Sequence, residues 1–394
     1  MKGFAIIGAG AAGCLAAVEL KRRRPDVEVT VFEAGPGPLR KLALTGGGRC
    51  NLTNTFADVR DLREVYPRGA RLMKGALKQF GPEDAMRWFE AEGVRLTEED
   101  DGRIFPASGD AMQVVRCLLR AMERAGVRIV CKERITDIRP LMETSRAVIV
   151  TTGGSPKRSG LDFLSSLDLP ISEPVPSLFT LRIDGTGMRA LSGTVAPDAA
   201  LSIPGTRFKA EGPLLLTDWG ISGPATLRLS SYAARHLAGC AYHTPLSIRW
   251  TGGNEQDLRE TLTALAAANP QKMAANTPPA GLPSRLWAFL LEHSSLRTGI
   301  RWAEMGSKGL NRLVSTLTND VYDCNGRAAF KEEFVTCGGI SLEGVRLSTL
   351  EAKAYPGLFF AGEVLDVDAV TGGFNLQAAW TTGWICARSA AGLA

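Results

Sequence analysis

Short apolar runs alternate with helical repeats at the start of the chain. Phe4–Ile7 and Val27–Phe32 have the composition of buried parallel strands, and Ala11–Arg23 between them has helical spacing and ends in a basic run. This order predicts a β–α–β unit of the dinucleotide-binding type at the amino-terminal end.

The following part of the chain predicts further elements that return to the same sheet. Asp101-Gly102 lies at the middle of the segment Val94–Pro106 and favours a hairpin there. Ser108 or Asp110 can cap the helix that follows. The predicted elements are helices at Arg71–Phe80 and Pro82–Glu92, a hairpin at Val94–Pro106, a helix ending near Arg124, and strands at Arg128–Ile138 and Ala147–Thr151.

The hydrophobic pattern changes after about Val175. Short alternating runs broken by Gly, Pro and Ser predict a small β-barrel or a sandwich. An Ala/Leu-rich stretch with helical spacing follows from about Asn254 to Leu317, and strand and glycine patterns return from Val335 onward. The alternating runs are Leu178–Ile183, Leu214–Thr217 and Leu246–Trp250.

A glycine triplet, Gly8-x-Gly10-x-x-Gly13, lies between the first strand and the first helix. In a dinucleotide fold the first glycine makes the turn, the second admits the pyrophosphate and the third lets the helix pack on the strand. Glu33 ends the second strand, where it can accept hydrogen bonds from ribose hydroxyls and disfavours a 2′-phosphate. FAD or NAD therefore fits better than NADP. The alternative, a purely structural turn, is disfavoured by this combined context.

The carboxy-terminal segment carries a second glycine-rich pattern. An apolar strand ends at Gly362-Glu363, and a glycine pair before Phe374 opens a new helix. Glycine lets the backbone approach a ligand, and the free N–H groups of a helix start favour negative charge. Because this pattern suits the far side of a dinucleotide whose near side is held by the amino terminus, the two ends together predict one FAD.

The predicted fold class is therefore α/β. A Rossmann-like FAD-binding domain of the glutathione-reductase type is interrupted by an insert made of a small β-barrel and a helical subdomain. The predicted boundaries are 1–177 with 340–394 for the FAD-binding domain, 178–253 with 318–339 for the β-barrel-like insert, and 254–317 for the helical insert.

Three successive glycines occur in the loop Thr45-Gly-Gly-Gly-Arg-Cys-Asn51. Backbone N–H groups in such a loop can surround polar cofactor atoms, and Arg49 can offset phosphate or flavin charge. Plain surface flexibility is a weaker explanation, since each glycine is costly to order. For Cys50, the residue type favours a small buried thiol over the alternative of a proton donor.

Another glycine pair follows a thiol in Thr336-Cys-Gly-Gly-Ile340. A hinge where the insert rejoins the first domain would alone explain these glycines. The functional hypothesis places the segment beside the flavin ring, where Cys337 could give a proton to carbon after hydride transfer. The helix start at Gly373–Asn375 would face the anionic side of the reduced ring. The catalytic candidates are Cys337, Cys50 and Asn375.

Composition narrows the class of protein. The 394 residues are 45% hydrophobic and include 43 glycines, as expected for a loop-rich soluble α/β protein of two domains or one domain with a large insertion. The eight cysteines form no Cys-x-x-Cys pair and the three histidines share no ligand spacing, which argues against a disulfide framework and a metal site. No apolar segment is long enough for a membrane span, and the start does not resemble a signal peptide. A cytoplasmic location is therefore expected.

The net charge of +5 is compatible with anionic ligands. Two runs of basic residues contribute to this charge. Such runs usually form a solvent-exposed face of the protein, and the alternative is that either run guides an RNA or another anionic substrate. The runs are Arg60, Arg63, Arg68, Arg71, Lys74 and Lys78, and Arg297, Arg301, Lys308 and Arg312.

Taken together, these motifs resemble the BaiN-like (BaiN/RdsA) family of FAD-dependent oxidoreductases. The resemblance covers nearly the whole chain, and the glycine loop and the carboxy-terminal block are its most specific parts. The segments that carry it are Gly8–Gly13 with Glu33, Lys41 with Thr45–Asn51, Thr217–Pro224, Val335–Gly339, Thr349–Lys353, Gly362–Asp366 and Thr371–Gln377.

The resemblance implies a flavoprotein with a β-barrel and a helical insert that reduces an activated carbon–carbon double bond. Substrates linked to the family are unsaturated steroid-type ketones and a uridine of ribosomal RNA. Three departures suggest a separate subgroup: Ser155–Leu161 replaces a longer glycine-rich loop, Asp218 replaces a histidine, and Ala369 replaces a frequent glycine. The motifs and the resemblance together place FAD against Gly8, Gly10, Ala11, Ala12, Gly13, Glu33, Arg40, Lys41, Gly47, Gly48, Arg49, Ile135, Thr152, Gly153, Gly362, Glu363, Asp366, Gly373, Phe374 and Asn375.

We therefore expect a cytoplasmic FAD enzyme that takes hydride from NAD(P)H, a transient donor, and passes it to an electron-poor C=C bond. The substrate would be a small molecule or ribosomal RNA. No membrane, metal or stable protein partner is predicted, and the oligomeric state stays open. Two alternatives remain: a flavin-dependent hydroxylase or oxidase, and a non-catalytic flavoprotein that binds RNA or the ribosome through its basic insert.

Overall fold

The computed structural model describes residues 2–155, 157–184, 187–327 and 335–393. Contacts within the chain divide it into two compact units, residues 1–176 with 332–394 and residues 177–331. The sequence-based domain boundaries, and the separation of a helical part at 254–317, stay predictions. Part of the predicted 318–339 segment, residues 328–334, lies outside the described residues.

Strands and helices follow one another in a mixed order along the chain. The strands are β1 (Phe4–Ile7), β2 (Val29–Glu33), β3 (Thr53–Asn54), β4 (Leu96–Glu98), β5 (Arg103–Pro106), β6 (Arg128–Cys131), β7 (Ala147–Val150), β8 (Ile171–Ser177), β9 (Leu181–Ile183), β10 (Val195–Ser202), β11 (Lys209–Leu216), β12 (Gly220–Ser222), β13 (His243–Arg249), β14 (Asp320–Arg327), β15 (Val335–Ile340) and β16 (Leu358–Phe360). The α-helices are α1 (Ala11–Arg23), α2 (Leu62–Val65), α3 (Ala70–Ala76), α4 (Pro82–Ala91), α5 (Ala111–Ala125), α6 (Arg139–Thr144), α7 (Pro224–Tyr232), α8 (Ala234–Gly239), α9 (Glu255–Ala268), α10 (Ser284–His293), α11 (Trp302–Thr318) and α12 (Phe374–Ala391).

The first unit is built on a five-stranded sheet in the order β16-β7-β1-β2-β6. All its neighbouring strands run parallel. β1 is buried at each of its four positions, as a strand covered on both faces requires. The predicted Rossmann-like sheet is therefore confirmed.

One predicted strand of this sheet was too long. β6 ends at Cys131, whereas the apolar pattern predicted a strand over Arg128–Ile138. Lys132 has a φ of 60° and donates its N–H to the carbonyl of Gly35, and the next N–H along the chain donates to the carbonyl of Glu33. A residue in the left-handed region leaves the strand, so the chain turns over the end of β2.

The helices predicted at Ala11–Arg23 and Pro82–Glu92 are present as α1 and α4, whereas the helix predicted over Arg71–Phe80 ends at Ala76 in α3. α1 packs against α12 so closely that a Cβ on Gly383 would lie 2.6 Å from the carbonyl oxygen of Ala12. α5 begins after Asp110, whose carboxylate accepts the N–H of Met112 at 2.8 Å, and the predicted cap is therefore present. Glycine at position 383 thus permits contact between the backbones of the first and last helices.

The predicted hairpin belongs to a small sheet in the order β3-β5-β4. β4 and β5 pair antiparallel, and Gly102 in the turn between them has a φ of 72°. The glycine-rich loop predicted before β3 contains a short 3-10 helix at Leu42–Gly48. The backbone at Thr45, Gly46 and Gly47 is not helical and breaks this helix. That prediction was therefore only partly right, because local hydrogen bonds order the first half of the segment.

The second unit contains a closed antiparallel barrel in the order β10-β11-β12-β9-β14-β13. Closure leaves no sheet edge exposed. The structure therefore confirms the barrel and not the sandwich. In the described helices of residues 2–155, 157–184, 187–327 and 335–393, none is both long and apolar enough to cross a membrane.

A buried carboxylate joins the barrel to its own helices. Asp320, at the start of β14, accepts hydrogen bonds from Trp250 Nε1 at 2.8 Å and from the hydroxyl of Tyr322. Its other oxygen lies 3.0 Å from Nε2 of His293 in α10. Burial raises the pKa of Asp320, and these hydrogen bonds act in the opposite direction.

Candidate functional site

The three glycines of the first turn have different surroundings. Gly8 has a φ of 105°, and a Cβ there would lie 2.5 Å from the carbonyl oxygen of Thr151 and 2.9 Å from Cα of Thr152. A Cβ on Gly13 would lie 2.1 Å from the carbonyl oxygen of Gly8. A Cβ on Gly10, by contrast, would meet no atom of the described residues within 4 Å. Packing therefore requires Gly8 and Gly13, while the backbone at Gly10 is open to a ligand.

Glu33 closes this turn from the end of β2. Its Oε2 accepts the N–H of Ala9 at 2.9 Å, and its Oε1 accepts the N–H of Gly35 at 2.6 Å. These bonds fix the carboxylate beside the start of α1, where a dinucleotide fold holds a ribose. Ile135 is half-buried and lies two residues beyond Glu133, whose N–H bonds to the carbonyl of Glu33.

The amino- and carboxy-terminal motifs meet at Ala12 and Gly362. Gly362 has a φ of 76°, and a Cβ there would lie 3.1 Å from Cβ of Ala12. The N–H of Gly362 donates to Oγ1 of Thr382 at 2.8 Å, which ties this turn to α12. The two predicted halves of the site are therefore adjacent.

Glu363 joins three further segments. Its Oε1 accepts the N–H of Thr336 at 2.7 Å, and its Oε2 lies 3.9 Å from Nζ of Lys41. A Cβ on Gly154 would lie 2.6 Å from Oε1, and a Cβ on Gly153 would lie 4.0 Å from Oε2. The structure thus brings together the candidates Lys41, Gly153 and Glu363, and it places Thr336 beside them.

The glycine loop at residues 45–51 is tied to the start of α12. Gly47 and Gly48 have φ values of 66° and 83°, and a Cβ on either would meet no atom within 4 Å in the part of the chain that the structure describes. In the orientation that satisfies both of its partners, the Asn51 amide accepts the N–H of Gly373 and donates to a neighbouring carbonyl, each at 3.0 Å. The open backbone of the loop therefore has a fixed anchor.

The two arginines near this loop have different surroundings. Arg49 stacks over the ring of Phe105 at 4.2 Å and pairs with Oε1 of Glu99 at 2.7 Å. Its guanidinium is therefore engaged with the β4–β5 hairpin, which the sequence did not predict. Arg40 is exposed, and its Nη1 lies 3.9 Å from the position that a Cβ on Gly35 would take. Arg40 therefore remains on the side of the site near Glu33.

Asn375 uses its side chain within the protein. Its Oδ1 accepts the N–H of Ala369 and its Nδ2 donates to the carbonyl of Ala369, each at 2.9 Å. The neighbouring Phe374 ring packs edge-on against Phe56 at 5.0 Å, and its carbonyl accepts the hydroxyl of Tyr66 at 2.8 Å. These contacts tie the loop that precedes α12 to the first turn of that helix.

Both candidate thiols are fully buried. Burial raises the pKa of Cys50 to about 12, while a hydrogen bond with Thr45 acts in the opposite direction. Cys50 therefore stays protonated at neutral pH, which fits the small buried thiol that the sequence favours. Cys337 lies in β15, directly after Thr336, the residue bound to Glu363.

The glycine pair after Cys337 is packed tightly on both sides. A Cβ on Gly338 would lie 2.5 Å from the carbonyl oxygen of Glu173, and a Cβ on Gly339 would lie 2.3 Å from the carbonyl oxygen of Val364. Close contact with two neighbouring segments therefore accounts for both glycines, and a hinge is not needed to explain them.

The sequence missed one buried ion pair at this site. Arg68 donates through Nε and Nη2 to both carboxylate oxygens of Asp368, which lies 300 positions away. The Asp368 side chain is fully buried, and the Arg68 side chain is 15% exposed. Arg68 was grouped with a solvated basic run, but its position between Pro67 and Gly69 separates it from the helix face that follows. That separation was the available signal.

The arrangement fits an FAD. Open backbone at Gly10 and Gly48 allows close approach, Glu33 offers a fixed carboxylate, and the starts of α1 and α12 favour negative charge. The N–H of Asp366 donates to the carbonyl of Ile340 at the end of β15. These features can hold a dinucleotide.

Comparison with known proteins gives concordant results. The model of the HI0933-like protein Rossmann domain matches residues 2–389. A 3-dehydro-bile acid delta(4,6)-reductase of Clostridium scindens is 28% identical, with 99% of this chain and 99% of that protein covered. A ribosomal RNA dihydrouridine synthase of Escherichia coli is 28% identical, with 97% and 96% covered.

One solved structure shares the fold over its full length. It is the 3-ketosteroid delta1-dehydrogenase from Sterolibacterium denitrificans in complex with 1,4-androstadiene-3,17-dione. The TM-score is 0.50 at 11% identity, with 99% of each chain covered. At this identity the likeness concerns the architecture alone.

Proposed function

This chain belongs to the HI0933-like family, and on that premise we propose that it is an FAD-dependent oxidoreductase that reduces an activated carbon–carbon double bond. The observation that carries the proposal is the contact of Gly362 with Ala12, which joins the first glycine turn to the carboxy-terminal motif. Two relatives of nearly equal length support the reaction class, because one is named a bile-acid reductase and the other makes dihydrouridine in RNA.

The residues that would hold FAD fall into two groups. The turn around Gly10 and the start of α1 suit the pyrophosphate, and Glu33 suits the adjacent ribose, with Ile135 at the neighbouring strand end. The glycine loop at residues 45–51, the group formed by Glu363 with Lys41 and Thr336, and the start of α12 suit the flavin half of the cofactor. Arg40, which lies near Glu33, belongs to the first group of proposed FAD-binding residues. The second group is Lys41, Gly47, Gly48, Arg49, Thr152, Gly153, Gly362, Glu363, Asp366, Gly373, Phe374 and Asn375.

Bound FAD supplies hydride transfer between NAD(P)H, the proposed transient donor, and the substrate. The chain's own part is to orient the cofactor and to stabilise charge. The amino-terminal end of α12 carries partial positive charge, which favours the negative charge of a reduced ring. Asn375 and Asn51 keep this helix end in place through Ala369 and Gly373.

We assign the proton-donating role to Cys337. Its thiol is buried in β15, next to Thr336, which the Glu363 carboxylate holds. Cys50 is a weaker candidate, because its raised pKa of about 12 makes it a poor acid at neutral pH. Asn375 carries no acidic proton and is already bonded to Ala369.

The proposed substrate contains a C=C bond conjugated to a carbonyl, as in an unsaturated 3-oxo steroid or in the uracil ring. Conjugation lets the carbonyl oxygen take up charge when hydride adds to the distant carbon. A cytoplasmic location fits this chemistry because NAD(P)H is available there. No stable protein partner is needed for the reaction as proposed.

The test uses the purified full-length protein under anaerobic conditions. We expect a bound-flavin spectrum that NADH or NADPH bleaches and that returns when an unsaturated 3-oxo steroid or an unmodified ribosomal RNA transcript is added. Product analysis should show a CH–CH bond or dihydrouridine. Bleaching with no recovery by either substrate class, or rapid peroxide or hydroxylated product in air, would contradict the reductase and favour the oxidase or hydroxylase. Salt-sensitive RNA binding without any bleaching would favour the non-catalytic alternative.

A further inference from the structure

The chain at the start of β3 lies along the first two turns of α12. The carbonyl of Leu52 accepts a hydrogen bond from Nε1 of Trp380 at 2.9 Å. A Cβ on Gly373 would lie 2.3 Å from the carbonyl oxygen of Thr53. The Asn51 amide, which accepts the N–H of Gly373, also donates to that carbonyl at 3.0 Å. Backbone contact and hydrogen bonds therefore join three successive residues to one helix.

Buried polar side chains continue this contact into the core. The hydroxyl of Thr53 donates to Oε1 of Gln377 at 2.6 Å, and Nε2 of Gln377 donates to Oγ1 of Thr381 at 2.9 Å. The hydroxyl of Thr381 donates in turn to the carbonyl of Phe80 at 2.8 Å. The three side chains are fully buried. Gln377 is therefore the centre of a hydrogen-bonded network between β3 and the chain that precedes α4.

Stability alone is a weak explanation for this network. A buried amide or hydroxyl gains little free energy from its hydrogen bonds beyond the cost of leaving water, and apolar side chains of similar shape usually stabilise a core equally well. Hydrogen bonds have fixed partners, however, and so they select one position of a helix among several that would pack. A slip of α12 by one residue would move it by about 1.5 Å and turn it by about 100°. The pair of Thr53 and Gln377 therefore specifies the register of α12 on β3.

The same network connects the glycine loop at residues 45–51 with the start of α12. The loop ends two residues before Thr53, and the N–H of Gln377 donates to the carbonyl of Gly373 at 3.0 Å. Gln377 thus lies one helical turn beyond the start of α12. Asn51 ties the loop to that start, and the bond between Thr53 and Gln377 repeats the tie one turn deeper. Together the two ties fix the direction of the first turn relative to the loop.

We propose that Gln377 is a positioning residue that holds the start of α12 against the glycine loop and so stabilises the reduced form of the bound flavin. This inference rests on the proposed function, in which that helix start faces the flavin ring. The partial positive charge of a helix start favours a nearby anion only within about one turn. A small displacement of the start therefore weakens its interaction with the negatively charged reduced ring more than with the neutral oxidised ring.

The first test uses the FAD-free full-length protein and needs no turnover. T53V/Q377M replaces both partners by apolar side chains of similar size, so we expect its urea midpoint to stay near the native value. Hydrogen exchange at residues 373–377 should become about threefold or more faster, because a helix start without its register contact opens more readily. Native exchange rates at these residues in the folded variant overturn the proposal.

The second test measures the midpoint potential of the bound flavin by equilibration with a reference dye. We expect T53V/Q377M to weaken the binding of reduced FAD about threefold or more beyond any loss of oxidised FAD, which lowers the potential by about 15 mV or more. T53S keeps the hydroxyl and should keep the native potential. S247A is the matched control, because Ser247 in β13 donates to Oδ1 of Asn319 at the same distance of 2.6 Å and belongs to the second unit. A native potential in T53V/Q377M, or an equal shift in S247A, overturns the proposal.

A single substitution separates the hydrogen bond from the packing around it. T53V changes only the hydroxyl, which becomes a methyl group, and it replaces the double variant in both tests if that variant does not fold. The potential should again fall, and a native potential overturns the proposal. If the native protein binds no flavin, or if neither NADH nor NADPH bleaches its flavin, the proposed function fails. The exchange measurement on the FAD-free protein still decides whether Gln377 positions the start of α12.

Discussion

At the scale of single residues, glycine has two different roles in the turn between β1 and α1: two glycines permit close packing, and one leaves space for a ligand. Gly8 and Gly13 are required because neighbouring carbonyls occupy the space of a side chain, whereas Gly10 has open space in front of it within the described residues. The sequence motif predicts all three glycines and their order. The structure separates those needed by the fold from the one available to a ligand.

Alanine at these positions should therefore give different defects. G13A forces a methyl group to within 2.1 Å of a backbone oxygen, and we expect a loss of stability of about 1–3 kcal/mol or more even without cofactor. G10A should leave the stability of the FAD-free protein within about 0.5 kcal/mol and weaken FAD binding at least about tenfold, or about 1.4 kcal/mol. Urea unfolding and flavin fluorescence titration measure the two effects, and equal loss of stability in both variants would contradict this division.

The raised pKa of Cys50 predicts an alkaline loss of stability. The thiol ionises at its ordinary value of 9.0 in the unfolded chain and at about 12 in the folded one. Its contribution is therefore fully present below pH 9 and is lost as the pH rises toward about 12, at up to about 1.4 kcal/mol per pH unit. Other buried thiols act similarly, so the measured quantity is the difference between the native protein and C50A. Parallel stability curves for the two proteins between pH 9 and 11 would count against the assignment.

Some site residues can be predicted from a sequence motif, and others can be recognised only in the folded structure. Lys41, Gly153 and Glu363 were predicted, and the structure brings them together. The partners of Arg49 and Arg68 were not predicted, because an ion pair leaves no periodic trace in the sequence when its members are far apart. Position relative to helix breakers was the one local hint for Arg68.

At the scale of elements, short-range patterns predicted the hairpin and the capped helix α5 well. Alternation and a turn dipeptide define β4 and β5, and a single capping carboxylate starts α5. The end of β6 could not be predicted, since its apolar pattern continues while the backbone turns at Lys132. That turn depends on hydrogen bonds to the distant residues Gly35 and Glu33.

The element around Asp320 gives a prediction for the barrel. D320A leaves the indole of Trp250 and the hydroxyl of Tyr322 without their acceptor, and we expect a loss of about 2–4 kcal/mol. D320N should cost about 1 kcal/mol or less, because burial raises the pKa of Asp320 and so already disfavours its charged form. D323A on the exposed face of β14 is the control, with a change within about 0.5 kcal/mol. Chemical denaturation followed by tryptophan fluorescence separates these cases; equal effects of D320A and D320N would argue against the network.

The start of α12 gives a second prediction for an element. N375A removes two hydrogen bonds to Ala369 and should cost about 1–3 kcal/mol. N375D keeps the acceptor for the N–H of Ala369 and loses the donor to its carbonyl, so an intermediate loss is expected. Both variants should release flavin faster than the native protein in a dilution assay. A fully stable N375A with native flavin release would show that this contact does not shape the site.

At the scale of the whole molecule, composition and pattern predicted the class of each part and not its topology. The barrel was expected from broken alternating runs, yet nothing in those runs indicates that β9 lies between β12 and β14. Strand order depends on which edges meet in three dimensions. The sheet of the first unit was easier, because a β–α–β sequence fixes the parallel direction and the neighbouring strand.

The contact between the amino-terminal motif at Ala12 and the carboxy-terminal motif at Gly362 predicts which segments bound FAD protects from hydrogen exchange. Adding FAD should slow hydrogen exchange at β1–α1 and at residues 362–375 together, since both sets contribute to one site. The strands of the barrel serve as the internal reference, with smaller changes. Mass spectrometry of peptides from the two ends measures the effect. Protection of the amino-terminal peptides alone would mean that the carboxy-terminal motif does not contribute to binding.

The contact between Gly383 and Ala12 also has a consequence for biosynthesis. A ribosome makes α1 early and α12 late, so a nascent chain carries the first nucleotide turn for most of translation without the helix that backs it. Prosthetic-group loading would then be a post-translational event, and flavin supply during elongation would matter little. A fusion or tag placed after α12 should therefore affect α1 and the glycine turn before it, and should change how strongly the protein retains flavin.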